Sequence, residues 1–159
     1  MYLNGPAPAE WISHDDGRLW TRGSMPCSNE MPGSFDPVTT SVIWAFCSTG
    51  NFGDARVSTN GGASWSTSAA AAGDSSNGAT VVALSAQHAF VVDPGAGMFR
   101  VTTNGGQTFR SISQLADVRW GGFTDSEVGY VVVDEQPSGN QRLWRTVDAG
   151  ASWSPVSLP

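Results

Sequence analysis

The eight residues "STNGGASW", Ser58 to Trp65, set an asparagine and two glycines between a β-branched run and a tryptophan. Alone they describe a tight hairpin turn ending in a heavy aromatic anchor. The same frame returns as "SHDDGRLW" at 13–20, "TTNGGQTF" at 102–109 and "TVDAGASW" at 146–153. Each copy reads Ser or Thr, any residue, Asp or Asn, any residue, Gly, two residues, then Trp or Phe. The third position falls at Asp15, Asn60, Asn104 and Asp148, so the spacings are 45, 44 and 44 residues. Four copies in register make this an internal repeat rather than a chance turn.

Every part of the frame has a mechanical reason. The hydroxyl of Ser13, Ser58, Thr102 or Thr146 and the carboxylate or amide two residues on can hold backbone N–H groups of the turn. Gly17, Gly62, Gly106 and Gly150 supply the positive φ of a tight hairpin. Trp20, Trp65, Phe109 and Trp153 bury an apolar face against the next layer. The motif is a hairpin clamp, and its role is structural.

Between clamps the chain reads as short strands. The last repeat offers "DVRWGGF", "VGYVVVD" and "QRLWRTV" before its clamp and "ASWSPVSL" through it. The third offers "ATVVAL", "HAFVVD", "GMFRVTT" and "QTFRSIS"; the second offers "EMPGSF", "SVIWAF", "DARVST" and "ASWSTS", with Pro32 and Gly33 weakening its first strand. Four strands per 40 to 50 residues are the pattern of β-propeller blades. The fold class is all-β, one propeller region over 1–159, with blades near 24–68, 79–113 and 117–159. Residues 1–23 supply only "EWIS" and "LWTRG", the outer half of a further blade. The stretch "SAAAAGDSSNG" at 68–78 reads as a flexible connection between blades.

Composition agrees and excludes several functions. The 159 residues include 19 Gly and 9 Pro, and 40% are hydrophobic, which is enough for one compact core. Fourteen acidic residues oppose eight basic ones, all arginine, for a net charge of −6; nucleic acid is not an expected partner. The apolar runs are far shorter than the roughly 20 residues that span a bilayer as a helix. "MYLNGPAPAEW" has no basic n-region or apolar h-region. Cys27 and Cys47 lack metal-knuckle spacing. They lie almost opposite each other if 27–36 and 42–47 are neighbouring antiparallel strands, which permits a disulfide in an oxidising compartment; two buried free thiols are the other reading. Neither His14, inside a clamp, nor His88, at a strand start, has a second ligand at metal spacing. No metal and no cofactor is implied.

S-x-D-x-G-x-x-W at blade spacing resembles the Asp-box, or BNR repeat, of sialidases, xyloglucanases, sortilin-type receptor propellers and photosystem II stability/assembly factor-like proteins. "FTDSEVGYVVV" at 123–133 followed by "LWRTVDAGASW" at 143–153 is especially similar to the last group. The resemblance implies a propeller that binds a protein or carbohydrate, and export from the cytoplasm. Three and a half blades do not close a ring, so the strand count points to part of a larger propeller of six to eight blades. Two copies would lack the same inner strands, so association alone does not supply them; further blades before Met1 or self-association are expected, with a depleted four-bladed ring as the alternative.

The sialidase resemblance implies an Arg triad, a Tyr/Glu nucleophile pair and an Arg-Ile-Pro motif. No Arg-Ile-Pro occurs, only Tyr2 and Tyr130 are present, and Arg100 and Arg145 flank clamps, where they read as strand-edge residues. Other glycoside hydrolysis needs two carboxylates about 5 to 10 Å apart across a cleft. Asp54, Asp93 and Asp134 are placed in the loops joining second to third strands, on the face opposite the clamps. Asp125 reads as an Asx-turn residue. On that same face "ADVRWGG" brings Asp117, Arg119 and Trp120 to the start of an innermost strand, where Arg119 beside an exposed Trp120 suits a sugar or peptide; packing of Trp120 between blades is the competing reading. Asp54, Arg56, Asp93, Asp117, Arg119 and Trp120 form the candidate ligand face. The expected function is a non-enzymatic binding or scaffold propeller; the alternatives are the C-terminal portion of a sialidase-like glycoside hydrolase and a structural or assembly role.

Overall fold

A computed structural model describes residues 10–13, 15–27, 31–48, 52–66, 70–72 and 78–157. They form β-strands and turns with no helix. The half-blade pairs β1 (Glu10–Ile12) with β2 (Thr21–Gly23). Blade 1 holds β3 (Met31–Pro37), β4 (Ile43–Ser48), β5 (Gly53–Ser58) and β6 (Ala70–Ala72). Blade 2 holds β7 (Thr80–Ala83), β8 (Ala89–Asp93), β9 (Met98–Thr102) and β10 (Arg110–Ser111). Blade 3 holds β11 (Val118–Phe123), β12 (Gly129–Glu135), β13 (Asn140–Thr146) and β14 (Ser154–Pro155). Each full blade is an antiparallel meander with its strands in chain order.

The clamps set the last hairpin of every sheet. In blade 3 the Thr146 hydroxyl donates to Asp148 Oδ1 (2.7 Å) and accepts from Gly150 N–H (2.9 Å), while Asp148 Oδ1 also accepts from Ser152 N–H (2.9 Å). Ser58, Asn60, Gly62 and Ser64 repeat this network, as do Thr102, Asn104, Gly106 and Thr108. So do Ser13, Asp15, Gly17 and Leu19. The clamp glycines share a φ of 82 to 85°, the left-handed region that a side chain disfavours.

Alternation along each strand sends one set of side chains to each neighbouring blade. Trp44, Phe46, Ala55 and Val57 of blade 1 meet Ala79, Val81, Ala89 and Val91 of blade 2 in one buried cluster. Phe90, Val92, Phe99 and Val101 of blade 2 meet Val118, Val131, Val133 and Trp153 of blade 3 in another. In the second, Phe90 stacks on Phe99 (5.2 Å) and Phe123 (5.0 Å), and Trp153 stands edge-on to both Phe99 and Phe123. Full burial of one such side chain is worth about 1.5–3 kcal/mol, so these two layers hold the blades together.

Three sequence expectations change. The fourth strand of blade 1 is Ala70–Ala72, beyond the "ASWSTS" segment and the boundary at 68; it pairs with Gly53 and Asp54, at the far end of β5. Ala71 is fully buried there, so part of the alanine run read as a flexible connection is a strand; an all-alanine segment hides the period-2 alternation that marks one. Residues 68, 69 and 73–77 of that run, like His14 and Tyr2, lie outside the described residues. Pro32 and Gly33 do not break β3: its ladder shifts register between Pro32 and Ser34, which absorbs the proline. Finally, Pro32 stands opposite Cys47, and Cys27 precedes the strand. The two cysteines are nevertheless joined, with Cα atoms 5.5 Å apart and both side chains buried. The bridge ties the segment leaving the half-blade to the middle of blade 1.

Candidate functional site

The loop "PGAG" (94–97) leaves the end of β8 on the face opposite the clamps. Asp93 is 1% exposed and is the last residue of β8 rather than a loop residue. Its Oδ1 accepts from Ala96 N–H at 3.2 Å, its Oδ2 has no hydrogen-bond partner among the described residues, and burial raises its carboxyl above the usual carboxylate range. Asp54 and Asp134, also expected in loops, lie inside β5 and β12.

The loop then turns onto blade 3. Gly97 adopts φ 63°, and a Cβ there would stand 2.9 Å from Asp117 Oδ1. Asp117 itself has φ 55°. Val118 N–H donates to Gly97 O (3.4 Å) and Asp134 N–H to Asp117 O (3.0 Å). The Arg119 guanidinium closes the cluster: Nε donates to Asp134 Oδ2 at 2.6 Å and Nη1 to Pro94 O at 2.7 Å, while Gln141 Nε2 reaches Asp134 Oδ1 at 3.3 Å. Charge-assisted, partly shielded bonds of this kind are the stronger class. Asp117, Arg119 and Asp134 therefore latch blade 3 to the loop of blade 2.

Arginines bind carbonyls of the preceding blade at the other junctions too. Arg56 Nη1 donates to Pro26 O beside the disulfide, and Arg56 lies 3.7 Å from Asp54. Arg100 Nη1 reaches Ala71 O at 3.5 Å; it is half-buried, which corrects its reading as a strand-edge residue, because two positions before the clamp hydroxyl a side chain turns toward the preceding blade. Arg145, one position later, turns the other way and is exposed.

The six candidates do not converge. Asp54 and Arg56 face the half-blade, Asp93 is sealed between blades 1 and 2, and Asp117 with Arg119 joins blades 2 and 3. Trp120 parts from Arg119 at a register shift between Val118 and Trp120. It lies over Gly122 on the outer side of blade 3 and is 55% exposed, so it does not pack between described blades. Asp125 Oδ1 accepts from Glu127 and Val128 N–H, which holds its carboxyl below the usual range. His88 is half-buried against Phe90 (5.0 Å), and burial followed by the nearby Arg110 charge lowers its pKa.

Two concavities open elsewhere. A groove of about 570 Å³ runs between Trp11, Ile12 and Trp20 of the half-blade and Phe35, Pro37 and Ile43 of blade 1. A smaller one of about 380 Å³ lies at the clamp-side ends of the innermost strands, beside Asp36, Phe123 and Asp125. Neither includes any of the six. Sequence reading missed Pro94 and Gly97 as the latch loop, although a Pro-Gly pair in a four-residue hairpin loop was the available signal. Among the described residues no three metal-ligating side chains gather, and no helix is long and apolar enough to cross a membrane.

No protein-family profile and no curated protein sequence matches this chain. Solved structures do. The GH74 enzyme of Niastella koreensis superposes with a TM-score of 0.65 at 22% identity, over 97% of this chain and 26% of its own. YCF48 bound to D1 peptide superposes with a TM-score of 0.55 at 16% identity, over 97% of this chain and 45% of its own. The NanB sialidase of Streptococcus pneumoniae gives 0.55 at 14% identity, over 86% and 25%. The chain thus spans less than half of each of these proteins. What they share with it, at such identities, is architecture: the chain has the sialidase-like, YCF48-like β-propeller fold, laid out over its described residues as three four-stranded sheets and one two-stranded sheet.

Proposed function

We propose that this chain is a non-catalytic binding or scaffold part of a propeller, which recruits a protein or glycan on the face opposite the clamps and whose ring is completed beyond these 159 residues. The observation that carries this reading is the engagement of the candidate acids and bases: Arg119 is held by Asp134 and Pro94 O, and Asp93 is sealed from solvent. A general acid must reach the proton acceptor of its substrate, and Asp93 does not. The rim retains charge fit for recognition, with Arg142 and Glu135 paired at 2.8 Å and both partly exposed. YCF48, which shares the fold, has been seen bound to a peptide, in keeping with a protein ligand.

The experiment is turnover of a fluorogenic sialoside and of xyloglucan by the purified chain and by the intact gene product. No release above a buffer control is expected from either. Turnover that disappears in Asp93→Asn would replace this reading with a glycoside hydrolase. Binding is scored separately against glycan and peptide arrays, where Arg142→Glu is expected to weaken the signal by about tenfold, a typical effect of a contact worth 1.4 kcal/mol. We also propose an oxidising, extracytoplasmic location on the strength of the Cys27–Cys47 bridge; thiol trapping in whole cells would recover both cysteines unalkylated.

A further inference from the structure

The outer side of blade 3 repeats a surface that is buried twice within the molecule. In blade 1 the side that meets the next blade carries Trp44, Phe46, Ala55 and Val57; in blade 2 the register-equivalent residues are Phe90, Val92, Phe99 and Val101, and all eight are buried. In blade 3 the same positions are Tyr130, Val132, Leu143 and Arg145. The first three keep apolar side chains and are only half-buried, and Arg145 is exposed. The half-blade carries the matching feature at the opposite end. Trp11 stands two residues before its clamp hydroxyl, the position that Trp144 fills in blade 3. Trp144 packs against the cluster shared with blade 2, whereas Trp11 is 51% exposed.

The innermost position decides which neighbour fits. Ser34 of blade 1 accepts from Val81 N–H at 2.9 Å and Asp36 from Ala83 N–H at 2.7 Å, so the first strand of blade 2 runs directly against small polar side chains. Thr80 holds the place of Ser34 in blade 2. In blade 3 that place is taken by Trp120, whose ring covers Gly122 closely enough that a Cβ there would be 2.9 Å away. An indole leaves no room for an innermost strand at the distance Ser34 allows. It suits a neighbour without one. The described half-blade is a two-stranded sheet whose inner side is the apolar groove beside Phe35, Pro37 and Ile43.

We infer that the outer side of blade 3 seats the half-blade of a second copy of this chain, head to tail. The partner's Trp11 lies on Leu143 and over the Arg145 guanidinium, an apolar and cation–π contact, and Trp120 enters the partner's groove. The contact is heterologous, so two complementary surfaces of one chain satisfy each other without a symmetric patch. Each copy adds the four sheets of its described residues, face to face in the order that the blades follow within one chain. This deepens the scaffold reading by naming the neighbour of blade 3, and it is tested without any ligand, so the two fail separately.

The test is sedimentation velocity of the 159-residue chain up to high micromolar concentration, for wild type, Trp11→Asp, Trp120→Asp and an equimolar mixture of the two variants. The wild type is expected to reach at least twice the monomer mass. Each variant alone is expected to associate at least about tenfold more weakly, as for an interface hot spot. The mixture recovers a species of twice the monomer mass, because one intact surface of each kind remains. Circular dichroism checks that the variants keep their β-sheet signal, and Trp120→Ser replaces Trp120→Asp if the latter does not. A wild type that stays monomeric throughout overturns the inference, and so does association that either variant leaves intact or that mixing fails to restore.

Discussion

The clamps of the half-blade and of blade 3 are nearly the same object in two settings. Each has a hydroxyl bonded to an aspartate two residues on, a glycine at φ 82°, and a tryptophan whose indole N–H donates to the carbonyl of that glycine. Yet Trp20 is 54% exposed and Trp153 is 4% exposed. Local sequence closes the turn; the neighbouring blade buries the anchor. The four copies are therefore equal as turns and unequal as contributors to stability, and substitutions can separate the two roles.

The largest difference is expected from the anchors. Trp153→Ala should cost about 3–5 kcal/mol, as for a large aromatic removed from a packed core, while Trp20→Ala should cost under about 1 kcal/mol because little burial is lost. Equal midpoints in urea unfolding of the two variants would break the comparison. Next comes the disulfide: replacing Cys27 and Cys47 with alanine opens a loop with a sequence separation of 20, which is worth about 3 kcal/mol in the chain-entropy account. That loss should localise. Limited proteolysis is expected to remove β1 and β2 while the near-ultraviolet signal of the Phe90, Phe99 and Trp153 cluster persists.

The clamp glycines give a finer contrast. Gly17→Ala and Gly150→Ala share the left-handed cost of about 1–2 kcal/mol, but a Cβ at Gly150 would stand 2.5 Å from the Phe90 ring, against 3.7 Å from Trp20 at Gly17. The Gly150 variant should be less stable by a further 1–3 kcal/mol or so, the usual cost of overpacking. Thermal unfolding of the pair measures it. The smallest effect is electrostatic. Hydrogen bonds from the Ser152 hydroxyl and N–H and from Thr146 pull the Asp148 carboxyl down to about 2, and bonds from Leu19 N–H and Ser13 lower that of Asp15. A depressed carboxyl stabilises the fold above its ordinary pKa, and that contribution is lost as pH falls through the folded value. Asn60 and Asn104 build the same turn without a charge. Asp148→Asn should thus flatten the loss of melting temperature between about pH 5 and pH 2, and an unchanged slope would sever the link between that bond set and acid stability.

The blade count was legible in sequence because each clamp is a self-contained hydrogen-bond network eight residues long, and so leaves its pattern in consecutive letters. Strands written as short β-branched and aromatic runs, such as Gly129–Glu135, were legible from that composition. β6 was not, since Ala70–Ala72 carries no contrast between its two faces. The candidate site was read less well. Asp117, Arg119 and Trp120 lie within four consecutive residues, but a register shift between Val118 and Trp120 parts Trp120 from the other two, and the partners of Arg119 lie 15 and 25 residues away.

The repeat follows from local chemistry: turns whose hydrogen bonds are satisfied within a few residues, set at one-blade intervals, with strands between them. Tertiary structure alone decided which copies are buried, which arginines bind carbonyls of the preceding blade, and which way Trp120 faces. Those outcomes depend on atoms from different blades meeting across a sheet face, and no local run of residues specifies the neighbour that a face will find.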